Sequence, residues 1–401
     1  MDARTTIPYG RQSISEDDIQ AVVNVLRSDW LTQGPVVPAF EKAVAEKCSA
    51  QYAVATNSAT SALHIACLAL GVGAGDRVWT TPNTFVASAN CVRYCGADVD
   101  FVDIDPVTLN LSITDLATRL AAAKKNGTLP KVIIPVHFAG LPCDMQAIHA
   151  LSKKYGFRII EDASHAIGAR YFDEPIGNGR YSDITVFSFH PVKIITTAEG
   201  GMAVTNSKEL AGTMASLRSH GITRDVAAFR HDYLGPWQYE QHELGFNYRL
   251  TDLQAALGMS QLHRLEQFVA RRNALASKYD ALLADLPLCT PYRPNEHLSG
   301  CHLYVIRLDD AGIHREVFET LRAEGILVNL HYTPVHLQPY YRQLGFTPGD
   351  FPNAEQHGTC AISLPLYPAM SDEDSERVVT ALTQAIEKHQ IKKESEYAVL
   401  S

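Results

Sequence analysis

The chain has 401 residues, of which 46% are hydrophobic and 20% are charged. This is the composition of an ordinary globular protein, and the length predicts about two domains. The net charge of −9 argues against the broad basic face that nucleic-acid binding requires, so no nucleic-acid partner is expected.

Three further classes of protein are also disfavoured. No nearly uncharged run reaches the roughly 18 residues of a membrane span, so no membrane partner is expected. Residues 1–6 lack the apolar core of a signal peptide, which predicts a cytoplasmic protein. The 8 cysteines have no zinc-ligand spacing and the 16 histidines form no HExxH motif, so we expect reduced thiols and no metal.

The first predicted elements are a helix and a strand-to-helix turn. Ser15 and Asp18 form a capping box ahead of an apolar helix face. Residues 52–62 then run from a short strand through small polar residues into a second helix. Because this helix opens with small residues such as Ala59 and Thr60, its free N–H groups can bind a phosphate dianion. Ordinary capping explains part of this run, but not all of it.

Strand-like runs continue to alternate with helical runs through the first two thirds of the chain. They lie at residues 77–80, 99–102, 131–136 and 157–161. This alternation predicts a mostly parallel sheet covered on both faces. No Gly-x-Gly-x-x-Gly motif follows any of these strands, which removes the main support for a nicotinamide enzyme.

The strand at residues 157–161 leads directly into Asp162. Ligands of open α/β sheets bind at the carboxyl ends of strands, so Asp162 is a candidate site residue. A carboxylate beside a pyridine nitrogen keeps that nitrogen protonated, which is what pyridoxal phosphate requires to act as an electron sink. A helix N-cap is the alternative role, and the two roles are compatible.

Lys193 follows the apolar run 184–189 and precedes a second run at 201–205. A lysine held against a packed sheet loses part of its hydration, which favours the free amine that condenses with an aldehyde. A solvated loop lysine is the ordinary alternative. The neighbouring carboxylate and the phosphate-binding turn favour the nucleophile.

The last third predicts a smaller α+β unit. A long leucine-lined helical stretch begins at Thr251, and three prolines in residues 287–295 indicate a linker. A strand at residues 303–308 and helices at 317–324 and 371–389 complete this unit.

These segments resemble the DegT/DnrJ/EryC1 family of sugar-nucleotide aminotransferases. The resemblance covers nearly the whole chain, and its motifs lie in order at residues 57–63, 81–85, 161–166, 188–201 and 245–249. It implies the α/β fold of PLP-dependent transferases (aspartate aminotransferase-like, fold type I), with a mostly parallel mixed sheet. A large PLP-binding domain would span residues 1–259, and a small α+β C-terminal domain would span 260–401.

The resemblance also implies roles for individual residues. Lys193 would hold pyridoxal 5'-phosphate covalently, Asp162 would pair with its ring nitrogen, and His165 would support the ring substituents. Phe85 would stack on the ring, although an ordinary core position is equally open to it. The phosphate would be bound by Ala59, Thr60 and Ser188, with Asn247 from a second subunit of a homodimer with shared active sites. Three of these positions, Ala59, Ser188 and Asn247, would also border the substrate, together with Tyr9, Asp29, Trp30, Leu31, Thr32, His331, Tyr332, Thr333 and Pro334.

The implied reaction moves an amino group from glutamate to C4 of a UDP-linked 4-keto-6-deoxy-N-acetylhexosamine, as in pseudaminic acid biosynthesis. The alternatives are a different nucleotide-linked 4-keto sugar, such as the precursor of perosamine, and a non-catalytic PLP-binding regulator. A related branch removes a hydroxyl and has histidine in place of the lysine. Position 193 is lysine here, which favours transamination.

Overall fold

The computed structural model describes the backbone of residues 6–400 and the side chains of residues 6–389. The strands are β1 Ile7–Pro8, β2 Tyr52–Thr56, β3 Arg77–Thr80, β4 Asp98–Phe101, β5 Val132–Ile134, β6 Arg158–Asp162, β7 Arg170–Tyr171, β8 Glu174–Pro175, β9 Ile184–Ser188, β10 Gly201–Thr205, β11 Ile222–Thr223, β12 Glu240–Gln241, β13 Leu288–Cys289, β14 Tyr304–Leu308, β15 Ile326–Leu327 and β16 Ala361–Leu364. The α-helices are α1 Glu16–Leu26, α2 Val36–Cys48, α3 Ala59–Ala69, α4 Ala87–Tyr94, α5 Ile113–Asn126, α6 Met145–Tyr155, α7 Lys208–Arg218, α8 Asp252–Leu262, α9 Leu265–Leu282, α10 His314–Ala323, α11 Pro339–Arg342, α12 Pro352–Cys360 and α13 Asp372–Leu400.

Seven strands form the central sheet, in the order β2-β10-β9-β6-β5-β3-β4. The pairs from β9 to β4 are parallel, whereas β10 is antiparallel to both β2 and β9. The sheet is therefore mixed and mostly parallel, which confirms the predicted α/β class.

The antiparallel direction of β10 brings four chain segments to one edge of the sheet. Gly201, the first residue of β10, pairs with both Thr56 and Ser188, the last residues of β2 and β9. On the next strand Asp162 pairs with Val186. The carboxyl ends of β2, β9 and β6 thus lie side by side, which is where open α/β sheets bind ligands.

Alternating side chains of these strands enter two different cores. Val54, Ile160 and Val186 belong to a core on one face of the sheet, and Ala55, Ile159 and Phe187 belong to a core on the other. This period of two is expected of a sheet with helices on both faces. The strong burial on both sides explains why the strands lack polar alternation.

A third core lies in the C-terminal part of the chain. It surrounds the antiparallel sheet β13-β14-β16 and includes residues of α9, α10 and α13. Helix α9 joins the cores, because Phe268 packs in a core of the central sheet and Tyr279 packs in the C-terminal core. β1 also reaches this part of the chain, since Ile7 pairs with Ile326 of β15. The division at residues 259/260 stays a proposal.

Some predicted boundaries differ from the structure. The helical stretch from Thr251 is two helices, with a turn at His263 and Arg264. Arg264 bonds to the Ser13 carbonyl and pairs with Asp18, so tertiary contacts hold this turn. The predicted linker at 287–295 contains β13, which pairs with β14.

The described residues also give information on the cysteines, on metal sites and on membrane-spanning helices. Six of the cysteines are buried, whereas Cys95 is intermediate and Cys289 is exposed. No cluster of three or more potential ligand side chains that could hold a metal ion occurs within the described part of the chain. Among the helices described, none combines the length and the apolar character of a membrane span.

Candidate active site

A cavity of about 570 Å³ opens at the carboxyl edge of the central sheet. Ten residues predicted from the sequence line it, and they come from six separate segments of the chain. They are Tyr9, Ala59, Thr60, Phe85, Asp162, His165, Ser188, Lys193, His331 and Tyr332.

The N-terminus of α3 forms one end of the cavity. Ser58 is the N-cap, and its hydroxyl accepts a hydrogen bond from the Ser61 N–H at 3.1 Å. Capping of that group leaves the N–H groups of Ala59 and Thr60 without an intrahelical acceptor. These groups and the positive end of the helix dipole suit an anion.

Gly201 allows β10 to approach this helix end closely. A Cβ atom at position 201 would lie 2.5 Å from the Ala59 nitrogen and 2.5 Å from the Ser58 carbonyl carbon. No side chain fits there without displacing the start of α3. The glycine therefore keeps open the backbone cradle at the end of the helix.

Asp162 is held in a fixed orientation by three hydrogen bonds. Ser164 donates its backbone N–H at 3.1 Å and its hydroxyl at 2.6 Å to one carboxylate oxygen. The hydroxyl of Ser88, in α4, donates to the other oxygen at 2.6 Å. Thr84 in turn contacts the Ser88 hydroxyl at 2.8 Å. All three partners of the carboxylate are donors, which is what an ionised carboxylate requires.

Lys193 lies in the turn after β9, where its backbone N–H bonds to the His190 carbonyl at 2.9 Å. Burial lowers the pKa of Lys193 to about 8, although the charge of Asp162 acts in the opposite direction. The side-chain nitrogen lies 3.4 Å from Nε2 of His302. The lysine can therefore supply a free amine near neutral pH.

His165 is positioned by the backbone and by Tyr332. The Ala139 N–H donates to Nδ1 of His165 at 3.2 Å, so a neutral ring carries its proton on Nε2, which lies 3.2 Å from the Tyr332 hydroxyl. Burial lowers the pKa of His165 well below its usual value, which keeps the ring neutral. Since His165 donates to the Tyr332 oxygen, the hydroxyl proton of Tyr332 remains available to a ligand.

Another part of the cavity wall is formed by Tyr9 and His331. Their ring centroids are 5.3 Å apart, and Nδ1 of His331 lies 2.7 Å from the Ser363 hydroxyl. Burial lowers the pKa of His331 to about 3. This wall therefore offers neutral hydrogen-bonding groups.

Seven predicted residues lie outside the wall of this cavity. Leu31 and Thr32 contact the start of α8, through the Asp252 N–H and Thr251 respectively. Asn247 is exposed and pairs with Ser219. The remaining four are Asp29, Trp30, Thr333 and Pro334.

The structure also places residues at the site that the sequence did not single out. Ser88 contacts Asp162, His302 contacts Lys193, and His190 and Asn329 line the cavity. Ser88 follows Thr84 at the spacing of one helical turn, which is a weak signal for a hydrogen-bonded pair. His302 precedes a predicted strand, but no local pattern connects it with Lys193.

The residues present fit the predicted cofactor, pyridoxal phosphate. The cofactor requires an amine for its aldehyde, a carboxylate for its ring nitrogen and a cradle for its phosphate. Lys193, the fixed carboxylate of Asp162 and the open end of α3 beside Gly201 provide these groups around one cavity. Phe85 is 59% exposed on the cavity wall, so its ring is free to contact a planar ligand.

Comparison with known proteins gives relatives that match nearly the whole chain. Spore coat polysaccharide biosynthesis protein SpsC of Bacillus subtilis (strain 168) is 40% identical over 386 residues, which cover 95% of this chain and 97% of that protein. PseC of Helicobacter pylori, an aminotransferase involved in the biosynthesis of pseudoaminic acid, matches with a TM-score of 0.87 and 31% identity, covering 96% of this chain and 100% of that one.

A second solved structure bears on the cofactor. The putative sugar aminotransferase Spr1654 from Streptococcus pneumoniae, in its PMP form, matches with a TM-score of 0.88 and 31% identity, covering 95% of this chain and 99% of that one. The same protein is also known in its PLP form. The DegT/DnrJ/EryC1/StrS aminotransferase family model matches residues 12–383. The chain therefore belongs to this family and is a sugar aminotransferase that uses pyridoxal phosphate.

Proposed function

We propose that the enzyme transfers the amino group of glutamate to C4 of a UDP-linked 4-keto-6-deoxy-N-acetylhexosamine. The product would be UDP-4-amino-4,6-dideoxy-N-acetyl-β-L-altrosamine, in pseudaminic acid biosynthesis. The observation that carries the aminotransferase chemistry is the Lys193 amine in one cavity with the Asp162 carboxylate. The likeness to PseC supports the specific sugar. A cytoplasmic location stays a prediction.

Lys193 is the proposed proton carrier. Bound pyridoxal phosphate supplies an aldehyde that condenses with amines and a protonated ring that withdraws electrons. The Lys193 side-chain nitrogen takes a proton from the α-carbon of glutamate, and it reverses that role at C4 of the sugar. Asp162 would hold the cofactor's ring nitrogen in its protonated form, and the hydrogen-bonded pair of His165 and Tyr332 would supply donors to the ring substituents. Tyr9 and His331 face the sugar.

A homodimer with shared active sites is part of the proposal. Lys193 is the one lysine or arginine on the described wall of the cavity, which is little positive charge for an anionic nucleotide sugar. The segment around β11 and β12 carries Arg224 and Arg230 and exposes large apolar side chains. Leu234 is 72% exposed, Trp237 is 71% exposed and Leu244 is 83% exposed. Large apolar side chains left exposed along one segment are typical of interaction surfaces, and this segment is close to Asn247 in the sequence.

A different nucleotide-linked 4-keto sugar is the second candidate. The relative SpsC is named for spore coat polysaccharide biosynthesis, and at 40% it is more similar in sequence than PseC. All of the catalytic contacts described above would serve such a substrate equally well. Only the substrate side of the cavity distinguishes the two candidates.

The test is a panel of UDP-, TDP- and GDP-linked 4-keto sugars, each incubated with the enzyme and glutamate. We expect mass spectrometry to show the amino sugar with the UDP-linked N-acetylhexosamine, and NMR to show its configuration at C4. Preference for a TDP- or GDP-linked sugar would contradict the assignment of the substrate. A glutamate-driven change in the cofactor spectrum excludes a non-catalytic regulator.

The nucleophile is tested by Lys193→Ala. We expect no turnover and no visible absorbance from lysine-bound cofactor, because no other amine is available at that position. Lys208→Ala is the matched control, since Lys208 is exposed at the start of α7. Turnover in Lys193→Ala at the wild-type rate would show that the nucleophile is another residue.

A further inference from the structure

His302 is a buried histidine beside the reactive lysine, and neither the sequence motifs nor the family comparison assigns it a role. It is 4% exposed and lies two residues before the start of β14, so the C-terminal part of the chain places it at the cavity. Its Nε2 lies 3.4 Å from the Lys193 nitrogen. Its backbone is fixed from both sides, by Ala139 at 2.9 Å and by Arg272 at 3.2 Å.

The second ring nitrogen limits what this contact can be. Nδ1 of His302 is buried and has no hydrogen-bond partner among the described residues. If Lys193 were an ammonium ion, Nε2 would have to accept a hydrogen bond from it. The ring proton would then be on Nδ1, where a buried N–H has no acceptor. If Lys193 is an amine, Nε2–H can donate to its lone pair, and Nδ1 keeps only an unused lone pair. In native proteins a buried N–H group without an acceptor is rarer than a buried lone pair without a donor. The neutral amine is therefore the favoured state of Lys193.

We propose that His302 is a positioning residue, which donates its Nε2–H to the side-chain nitrogen of Lys193 and so favours the neutral amine. An amine held in this way keeps its lone pair directed at the Nε2–H of His302. The lone pair becomes available when the amine turns to the cofactor or to a substrate proton. The catalytic meaning of the contact rests on the proposed function, because only a neutral lysine can act as a base. The contact itself can be tested without turnover.

The other ionisable groups around the pair are compatible with this protonation state. His165 packs against His302 with ring centroids 4.5 Å apart, and its pKa is lowered by burial. His331 and Arg272 also face His302, and burial, reinforced by the positive charge of Lys193, lowers the pKa of His302 well below its usual value. Asp162 is the carboxylate that opposes the neutral state of Lys193. Tyr332 is kept as a hydroxyl, because burial raises its pKa.

The test compares the full-length, cofactor-free wild type with His302→Gln. Trace acetylation from about pH 6 to about pH 11, read by mass spectrometry of the Lys193 peptide, gives the midpoint at which that amine loses its proton. We expect a wild-type midpoint near the pKa of about 8. Glutamine can accept from an ammonium ion without a tautomer change, so the midpoint should rise by about 0.5 to 1 pH unit. An unchanged or lower midpoint would overturn the proposal.

Two controls keep the result specific. His263→Gln changes an exposed histidine in the turn between α8 and α9 and should leave the midpoint unchanged. The exposed Lys208 should show the same labelling profile in all three proteins. A midpoint shift in His263→Gln equal to that in His302→Gln would contradict a local contact.

A measurement on the wild type covers the case in which His302→Gln does not fold. Long-range ¹H–¹⁵N correlation of the histidine side chains distinguishes a proton on Nε2 from one on Nδ1. We expect the Nε2–H form for His302, and an Nδ1–H form would overturn the proposal. These outcomes are independent of the proposed function, which fails instead if Lys193→Ala keeps full turnover.

Discussion

At the scale of single residues, Asp162 is the group whose charge matters most. At about 4 Å and an effective dielectric near 20, a carboxylate attracts a protonated ring nitrogen by about 4 kcal/mol, an upper-range figure. Asp162→Asn keeps the shape but not the charge. We therefore expect the rate of the half-reaction with glutamate to fall by up to about 10³-fold, since each 1.36 kcal/mol is tenfold. Stopped-flow absorbance of the bound cofactor measures this rate.

The control for this substitution is Asp183→Asn. Asp183 accepts from the Ile159 N–H at 2.8 Å on the same sheet, but it does not line the cavity. Its half-reaction should remain within a few-fold of wild type, because it lies at the opposite end of β9 from Ser188. If Asp162→Asn also kept the wild-type rate, another acid would have to protonate the ring nitrogen.

Some residues of the site can be predicted from the sequence, and others can be found only in the structure. Asp162 was predicted because it ends a strongly apolar strand, and Lys193 because it lies between two apolar runs, so a short window of sequence contains each signal. Ser88 and His302 were not predicted, because each acts on a partner that is distant along the chain. A hydrogen bond between Ser88 and Asp162 spans 74 positions, and no periodicity records it.

At the scale of secondary-structure elements, the packing of β10 against α3 makes Gly201 a sensitive position. Gly201→Ala places a methyl group 2.5 Å from the Ala59 nitrogen, so the start of α3 must move away. Overpacking of this kind costs about 1–3 kcal/mol. We expect the Kd for pyridoxal phosphate to rise about tenfold, because the N–H groups that face the phosphate move with the helix. Equilibrium titration of the cofactor-free chain measures the change.

Gly212→Ala is the matched control on another helix. Gly212 lies exposed within α7, and apart from its chain neighbours and the backbone of its own helix no atom comes within 4 Å of a Cβ built there. Alanine in a helix interior is more favourable than glycine by about 0.8–1 kcal/mol, so thermal stability should increase slightly. Cofactor affinity should stay at the wild-type value. Equal affinities in both variants would show that the approach of β10 does not shape the phosphate site.

Element boundaries depend on tertiary contacts as well as on local pattern. The leucine-lined stretch after Thr251 continues without glycine or proline at the turn, so the sequence predicts one helix where the structure has two. Arg264 at the turn contacts Asp18 and the Ser13 carbonyl, which lie 246 and 251 positions earlier. These contacts compensate for the backbone hydrogen bonds that a continuous helix would keep. A short stretch of sequence around the turn does not reveal them.

At the scale of the whole molecule, the fold class follows from the alternation of apolar strands with helices. The order of strands in the sheet does not follow from that alternation, and neither does the antiparallel direction of β10. Tyr9 and His331 reach the same wall because β1 pairs with β15 across more than 300 positions. The sequence therefore predicts the individual strand ends that line the cavity. It does not predict the strand order and direction that bring them together.

The proposed shared active site can be tested at this scale by mixing two inactive variants. Lys193→Ala removes the nucleophile, and Asn247→Ala removes a residue that is exposed on its own chain and proposed to act in the partner's site. In a mixed dimer one site would receive both intact residues, and the other would receive both substitutions. Equal mixing produces mixed dimers in about half of the population, so about a quarter of all sites should recover.

Turnover per subunit after co-expression, compared with each variant alone, measures this recovery. Recovery in the mixture supports sites built from two chains, whereas activity that stays at the mean of the two variants means that Asn247 acts within its own subunit or not at all.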